Sequence, residues 1–300
     1  MLKIGLAGCG YWSNKVLKEI ENNKNFNLES IFCRNYSSKK IKFDDSIKVF
    51  ENIENFFLEN TNDCIYVAGT PELNFKAVNL AIRNKVPLIL EKPIADTSQN
   101  IEKIQFLTNK YNLIILPNLT NYFSENFFYL KNYIDKNFDE IKKIIFFEGG
   151  NGPCRKNIHP IWDWGFHSFS TLLKIFENRD FSKISKKEIK GNGYTNRVIT
   201  RFKFNVESKF EVKLISGNLF KHKIRKFKII LKNNNILESN MVDHKIYLDK
   251  NIVFENNIPP LQSLLNSFYK TIKEQNTDYS KNLINISKKT TEILEKFYNC

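Results

Sequence analysis

A short apolar run, Lys3-Ile4-Gly5-Leu6-Ala7, ends in Gly8-Cys9-Gly10 and passes straight into a helical pattern with Val16, Leu17 and Ile20 on one face. Strand, glycine turn and helix in that order constrain the fold more than any other feature of the chain. The first glycine permits a tight turn. The second lets the backbone come close to a pyrophosphate at the positive end of the helix. A third glycine of the usual fingerprint would fall at position 13, where this chain has Ser13, small enough to preserve most of the helix–strand packing. A plain βα turn with two glycines is the alternative reading.

The segments that follow keep the same rhythm. Leu28–Cys33, Cys64–Ala68, Val86–Leu90 and Leu113–Leu116 read as strands, with helical periodicity over about 75–84 and 98–111. Short β-rich runs alternating with helices predict a doubly wound parallel sheet with helices on both faces. Ligands of such sheets bind at the carboxyl ends of the strands. Gly8, Gly10, Thr70, Pro71, Glu91, Lys92 and Pro93 all fall there.

The chain has 300 residues, enough for two domains, and a formal net charge of +14. Only seven of its 46 basic residues are Arg, and the Lys are scattered rather than gathered in a stripe. A nucleic-acid footprint concentrates its charge and favours Arg, so no nucleic-acid partner is expected. No apolar run approaches the roughly 20 residues of a membrane helix, and the start of the chain does not read as a signal peptide. Neither a membrane partner nor export is expected, and the expected compartment is the cytoplasm. The five cysteines are odd in number and widely spaced, with no C-x-x-C pair. That pattern predicts no disulfide framework and no metal site, with the cysteines acting as small hydrophobes.

The end of the second strand bears on the cofactor. Sites that prefer NAD place Asp or Glu there for the ribose hydroxyls. Here the residues are Cys33-Arg34-Asn35, then Ser37, Ser38, Lys39 and Lys40. A cationic, hydroxylated tip with no carboxylate favours NADP over NAD, with Arg34 on the adenine and the 2′-phosphate. If Arg34 is only a solvated surface residue, either cofactor fits.

Glu91-Lys92-Pro93 after a buried strand, and Trp162-Asp163-Trp164-Gly165-Phe166-His167 further on, complete an ordered set with the glycine turn and Thr70-Pro71. Together they resemble the Gfo/Idh/MocA family of nicotinamide-dependent oxidoreductases, along the whole chain. The resemblance implies an N-terminal Rossmann domain and an α+β C-terminal domain with an open, mostly antiparallel sheet. That sheet would carry the substrate and a homo-oligomer interface, dimeric or tetrameric. The expected cofactor contacts are Gly8, Gly10, Tyr11, Trp12, Ser13, Arg34, Thr70, Pro71, Glu91 and Lys92. The resemblance also assigns the reacting groups. It makes Lys92 the lysine between nicotinamide and substrate, Asp163 a substrate-binding aspartate and His167 the acid/base. Phe75, where His is frequent, and Ser170, where Asp is frequent, depart from the pattern.

The chemistry agrees independently. Oxidising a secondary alcohol removes hydride from carbon and a proton from oxygen. Imidazole suits the proton transfer near neutrality, and a nearby ammonium stabilises the alkoxide. Asp163 and His167, four apart, share a helix face. A buried, satisfied histidine is the bland alternative for His167, and His159 is a weaker candidate.

Beyond Tyr122 a helix pattern gives way to strands near 141–147, 184, 198–204, 210–215, 223–231 and 245–248, with alternation suited to an antiparallel sheet. Two amphipathic helices close the chain. The expected division is 1–119 for the dinucleotide and 120–300 for substrate and self-association, with the last helices packing back on the first domain. Arg155 and Lys156 either meet a phosphate or carboxylate of the substrate, alongside Trp162, or are solvated. Pro160–Gly165 resembles members acting on nucleotide-linked sugars for surface polysaccharides. The expected activity is therefore hydride transfer between NAD(P) and a hydroxyl or keto carbon of a sugar-like small molecule. The alternatives are a non-catalytic NAD(P)-binding regulator or scaffold, and an enzyme that uses tightly bound NAD for transient oxidation.

Overall fold

The apolar runs of the first 118 residues become a parallel sheet. A computed structural model describes residues 1–38, 43–59, 61–152, 154, 158–191 and 197–298. The elements are β1 (Leu2–Ala7), α1 (Tyr11–Glu21), β2 (Phe26–Phe32), β3 (Lys48–Phe50), α2 (Ile53–Leu58), β4 (Cys64–Val67), α3 (Pro71–Asn84), β5 (Leu88–Leu90), α4 (Ser98–Tyr111) and β6 (Ile115–Pro117). The six strands lie in the order β3-β2-β1-β4-β5-β6 and every pairing is parallel. The chain winds outward from β1 to β3 and then returns to lay β4 beside β1. The reversal opens a crevice at the carboxyl ends of β1 and β4, where open α/β sheets take their ligands.

Local chemistry sets the boundaries. Thr70 caps α3 by accepting the Leu73 N–H, and Pro71 occupies the first helical position, where its missing donor is harmless. Thr97 caps α4 in the same way. The sheet core is aliphatic and aromatic, with Ile65, Val67, Leu88, Leu90 and Ile115 on strands and Phe56, Ala77, Val78 and Ile104 on helices, all fully buried. β3 and α2 carried no clear sequence signal. β3 is Lys48-Val49-Phe50 and lacks the continuous apolar run that marks the equally short β5 and β6, and the six residues of α2 make fewer than two helical turns.

The structure also corrects one cysteine expectation: Cys9 and Cys33 are joined by a disulfide. β1 and β2 are neighbours in register, with Ala7 opposite Phe32. The residues just past the two strand ends therefore meet, with Cα atoms 5.2 Å apart, inside the range a bridge requires. Sequence spacing alone does not reveal that adjacency.

The second sheet is built differently. Its region comprises α5 (Glu125–Asn137), β7 (Ile141–Asn151), α6 (Ile161–Ile175), β8 (Phe181–Lys190), β9 (Val198–Val206), β10 (Phe210–Gly217), β11 (Leu219–Leu231), β12 (Ile236–Asn240), β13 (Lys245–Leu248) and β14 (Asn251–Glu255). The strand order is β14-β13-β12-β11-β7-β10-β9-β8, antiparallel except between β7 and β10. Alternation decides which face is covered. Val198, Thr200, Phe202, Phe204 and Val206 of β9 are buried while the residues between them are not. α6 packs on β7 and β10. Two helices finish the chain, α7 (Pro260–Lys273) and α8 (Thr277–Phe297).

The chain divides into two compact units. One is Met1–Asn118 with Leu261–Glu292, and the other is Leu119–Pro260 with Ile293–Cys300. No helix among the described residues is long and apolar enough to cross a membrane.

Candidate active site

In the first unit the glycine turn is fixed by sterics. Gly8 has φ of +134°, a conformation that side chains rarely adopt. A Cβ there would lie 2.6 Å from the Ala68 carbonyl oxygen and 2.9 Å from Ser13 Oγ. Ser13 is buried, and its hydroxyl accepts the Gly10 N–H at 3.2 Å, so the residue in place of the third glycine closes the turn. Gly10 is different: a Cβ there would meet nothing within 4 Å. Space above Gly10, a first helical turn without acidic residues and the positive end of α1 suit an anion. Lys15 adds a cation, its ammonium 4.8 Å from the Tyr11 ring centroid and 5.5 Å from that of Trp12. These residues fit the diphosphate of a dinucleotide. Arg34 is exposed at the tip of β2, as a 2′-phosphate contact requires. Lys39 and Lys40 lie outside the described residues.

Lys92 follows β5 and is clamped on both sides. Asn74, fully buried on α3, donates to the Glu91 carbonyl at 2.8 Å and to the Pro93 carbonyl at 3.3 Å. The Lys92–Pro93 peptide is cis. The Glu91 carboxylate is buried and gathers three donors on Oε1. These are the Tyr66 hydroxyl at 2.6 Å, Asn118 Nδ2 at 2.7 Å and the Trp12 indole N–H. Asn118 also donates to the Tyr66 hydroxyl at 3.0 Å. The ends of β4, β5 and β6 and the first turn of α1 thus share one carboxylate, which joins the helix after the glycine turn to the segment bearing Lys92. Burial pushes the Glu91 pKa up, and the three hydrogen bonds only partly offset it. Burial and the adjacent carboxylate push the Tyr66 hydroxyl well above its ordinary value.

In the second unit α6 carries Trp162, Asp163 and His167. Asp163 stands half-buried in the first turn, and His167, one turn on, is buried. The His167 carbonyl accepts from Ser170 Oγ at 2.9 Å and Thr171 Oγ1 at 2.7 Å. Ser170 is thus engaged with the helix backbone. His159 braces the start of this helix. Its Nδ1 accepts the Ile161 N–H at 3.2 Å, its ring stacks on Tyr298 at 4.2 Å, and Nε2 lies 3.4 Å from Glu188. Burial lowers its pKa, which keeps Nδ1 available as an acceptor. Arg155 and Lys156 lie outside the described residues.

Sequence reasoning missed Tyr66, Asn74 and Asn118. The available signal was a lone phenol in an otherwise aliphatic strand, and two asparagines beside motifs that drew attention to themselves.

Residues 2–119 match the sequence model of the Gfo/Idh/MocA family, described as an oxidoreductase family with an NAD-binding Rossmann fold. Over that stretch the chain is similar to the Gfo/Idh/MocA family. A search of curated proteins finds no match. Solved structures share the fold over nearly the whole length. A dehydrogenase from Chromobacterium violaceum superposes with a TM-score of 0.82 at 14% identity, covering 99% of this chain and 95% of the other. The UDP-N-acetylglucosamine 3-dehydrogenase of Acidithiobacillus ferrooxidans gives 0.78 at 11%, covering 99% and 98%. The scyllo-inositol dehydrogenase of Lactobacillus casei, solved with NAD(H) and scyllo-inositol, gives 0.74 at 15%, covering 98% and 94%.

The raised Glu91 pKa makes the stability of the fold depend on pH. A carboxyl whose pKa is raised on folding contributes stability that is fully present below its unfolded value and is lost as pH rises through its folded value. Glu91→Gln keeps an acceptor for the three donors and removes the titration. Relative to wild type, its melting temperature is therefore expected to rise as pH is taken from about 4 to 8. A difference that is flat or falls over that range contradicts the assignment.

Proposed function

We propose that the chain transfers a hydride between a nicotinamide dinucleotide, NADP in preference to NAD, and a hydroxyl or keto carbon of a sugar-like substrate. The observation carrying this reading is Lys92 at the carboxyl end of a Rossmann sheet, its neighbours Glu91 and Pro93 fixed by Asn74 and Glu91 anchored by its three donors. When bound, the dinucleotide supplies the hydride acceptor. The chain supplies the proton chemistry. The His167 imidazole takes the substrate hydroxyl proton, the Lys92 ammonium stabilises the developing alkoxide, and Asp163 accepts a hydrogen bond from a neighbouring hydroxyl. Residues 1–119 with the closing helices serve the dinucleotide, and the eight-stranded sheet with α6 serves the substrate.

Titration of the purified protein with NADPH and NADH, followed by nicotinamide fluorescence, tests the core of the reading. A response to neither ends it. Dinucleotide that co-purifies and is never exchanged during turnover would favour transient oxidation instead. Arg34 carries the cofactor preference. Arg34→Ala is expected to weaken NADPH about tenfold to a hundredfold, the value of a charge-assisted contact, and NADH by less than about threefold. Equal loss for both removes the 2′-phosphate role.

A nucleotide-linked sugar of surface-polysaccharide synthesis is the proposed substrate class. Its support is the Pro160–Gly165 run, the basic pair Arg155 and Lys156, and the fold shared with a UDP-N-acetylglucosamine 3-dehydrogenase. Self-association through the second sheet is proposed on the family resemblance alone, and a single monomer-sized species in sedimentation velocity would overturn it.

A further inference from the structure

We propose that Cys9 and Cys33 form a reversible thiol–disulfide modification site that takes small-molecule disulfides and thiols, and that bound dinucleotide screens it. The screening part rests on the dinucleotide reading of the glycine turn; the redox part does not.

The pair is set by the sheet. Cys33 follows β2, is fully buried, and donates its N–H to the Phe50 carbonyl at 2.8 Å, so it cannot move far. Cys9 lies in the turn between Gly8 and Gly10 and is half-exposed. With the two Cα atoms 5.2 Å apart, the bridge can open and close by side-chain rotation, without backbone movement. The other described cysteines lack this arrangement. Cys64 is buried on β4 with its thiol against the Lys3 carbonyl, and exposed Cys154 has its sulfur beside Asn218.

Access assigns the order of events. Cys9, on the solvent side and at the positive end of α1, is the attacking thiolate. It bonds to one sulfur of a small disulfide R–S–S–R, whose S–S bond breaks, and the departing R–S⁻ takes a proton from solvent. Cys33 then releases its proton to water and attacks Cys9 of the mixed disulfide, expelling the second R–S⁻, which is protonated in turn. Two thiols give up two electrons and two protons, and R–S–S–R becomes two R–SH. A dithiol reverses both steps.

The location gives the site its consequence. A dinucleotide on a strand–turn–helix lays its diphosphate over the turn and its ribose against the tip of the second strand. Those are the two segments that the bridge joins. Bound dinucleotide therefore covers the one accessible sulfur, and both closure and opening slow when it is present.

The experiment uses the full chain, reduced with dithiothreitol, desalted and exposed to oxidised glutathione with and without saturating NADPH or NADH. Samples are denatured, alkylated and mapped by peptide mass. The expected result is a linked Cys9–Cys33 peptide with Cys64 and Cys154 alkylated. Closure is expected to slow about tenfold or more with dinucleotide, by burial of the attacking sulfur. Cys33→Ser should instead hold one glutathione on Cys9. If that variant does not fold, Cys9→Ser should leave Cys33 unmodified until denaturation. Complete alkylation of Cys9 after oxidation, or linkage to another cysteine, overturns the site. If the bridge forms while fluorescence shows no dinucleotide bound, the redox site stands and the dinucleotide reading fails. If dinucleotide binds and no bridge forms, the reverse holds. If the bridge forms, dinucleotide binds and the rates do not change, the screening is overturned.

Discussion

His167→Ala is expected to lower kcat by about two to four orders of magnitude, the range over which a positioned acid/base acts, while dinucleotide affinity stays within about twofold. The residue lies on α6 and the glycine turn lies between β1 and α1, so the variant alters the proposed proton acceptor and leaves the residues proposed to hold the dinucleotide unchanged. Lys92→Ala should reduce kcat by a similar factor, because an ammonium beside a developing alkoxide acts chiefly in the transition state. Single-turnover measurements with prebound dinucleotide separate these outcomes from slow product release. Full turnover in either variant removes that residue from the chemistry. Retained turnover in both would place the proton chemistry on other residues, whereas no turnover in the wild-type protein would return the chain to the regulatory reading.

Gly8→Ala is expected to destabilise the fold by about 2–4 kcal/mol, from the positive φ and the clash with backbone at Ala68, and to abolish measurable dinucleotide binding. The neighbouring Gly10→Ala makes the contrast. Its backbone is ordinary, at φ −92°, and the added methyl meets no protein atom, so stability should fall by less than about 1 kcal/mol. The methyl would instead occupy the space where a diphosphate approaches the backbone, and affinity should fall tenfold or more, by roughly 1.4 kcal/mol. Urea unfolding and fluorescence titration on both variants give the two readouts. If Gly10→Ala binds like wild type, the anion does not approach at that point.

The alternation of apolar runs and helical faces in residues 2–117 was enough to indicate a parallel sheet, because each element there buries one regular stripe. Likewise Arg201–Phe204 and Phe210–Leu214 disclosed the antiparallel sheet through strict period two. Short elements without a continuous apolar run, such as β3 and α2, left no trace. Nor did contacts between residues distant in sequence. Tyr66, Asn74, Asn118 and Trp12 converge on Glu91 and its neighbours only because β4, β5 and β6 end side by side. Cys9 and Cys33 pair only because β1 and β2 are neighbours. Ser13 was legible as a small residue, but its bond to the Gly10 N–H depends on the turn that Gly8 permits.

Ile115 of β6 finds its outer partners on a side chain from the end of the chain. Ser280 Oγ donates to its carbonyl at 2.7 Å and accepts its N–H at 2.8 Å. Gln262 and Asn266 likewise meet Asn23, and Phe268 stacks on Phe26. The first unit is therefore completed by residues 261–292, which leave the ribosome only after residues 119–260. Vectorial folding from the N-terminus cannot complete it. A chain released before residue 261 would keep a parallel sheet with an unpaired border, the kind of edge on which nascent chains recruit one another.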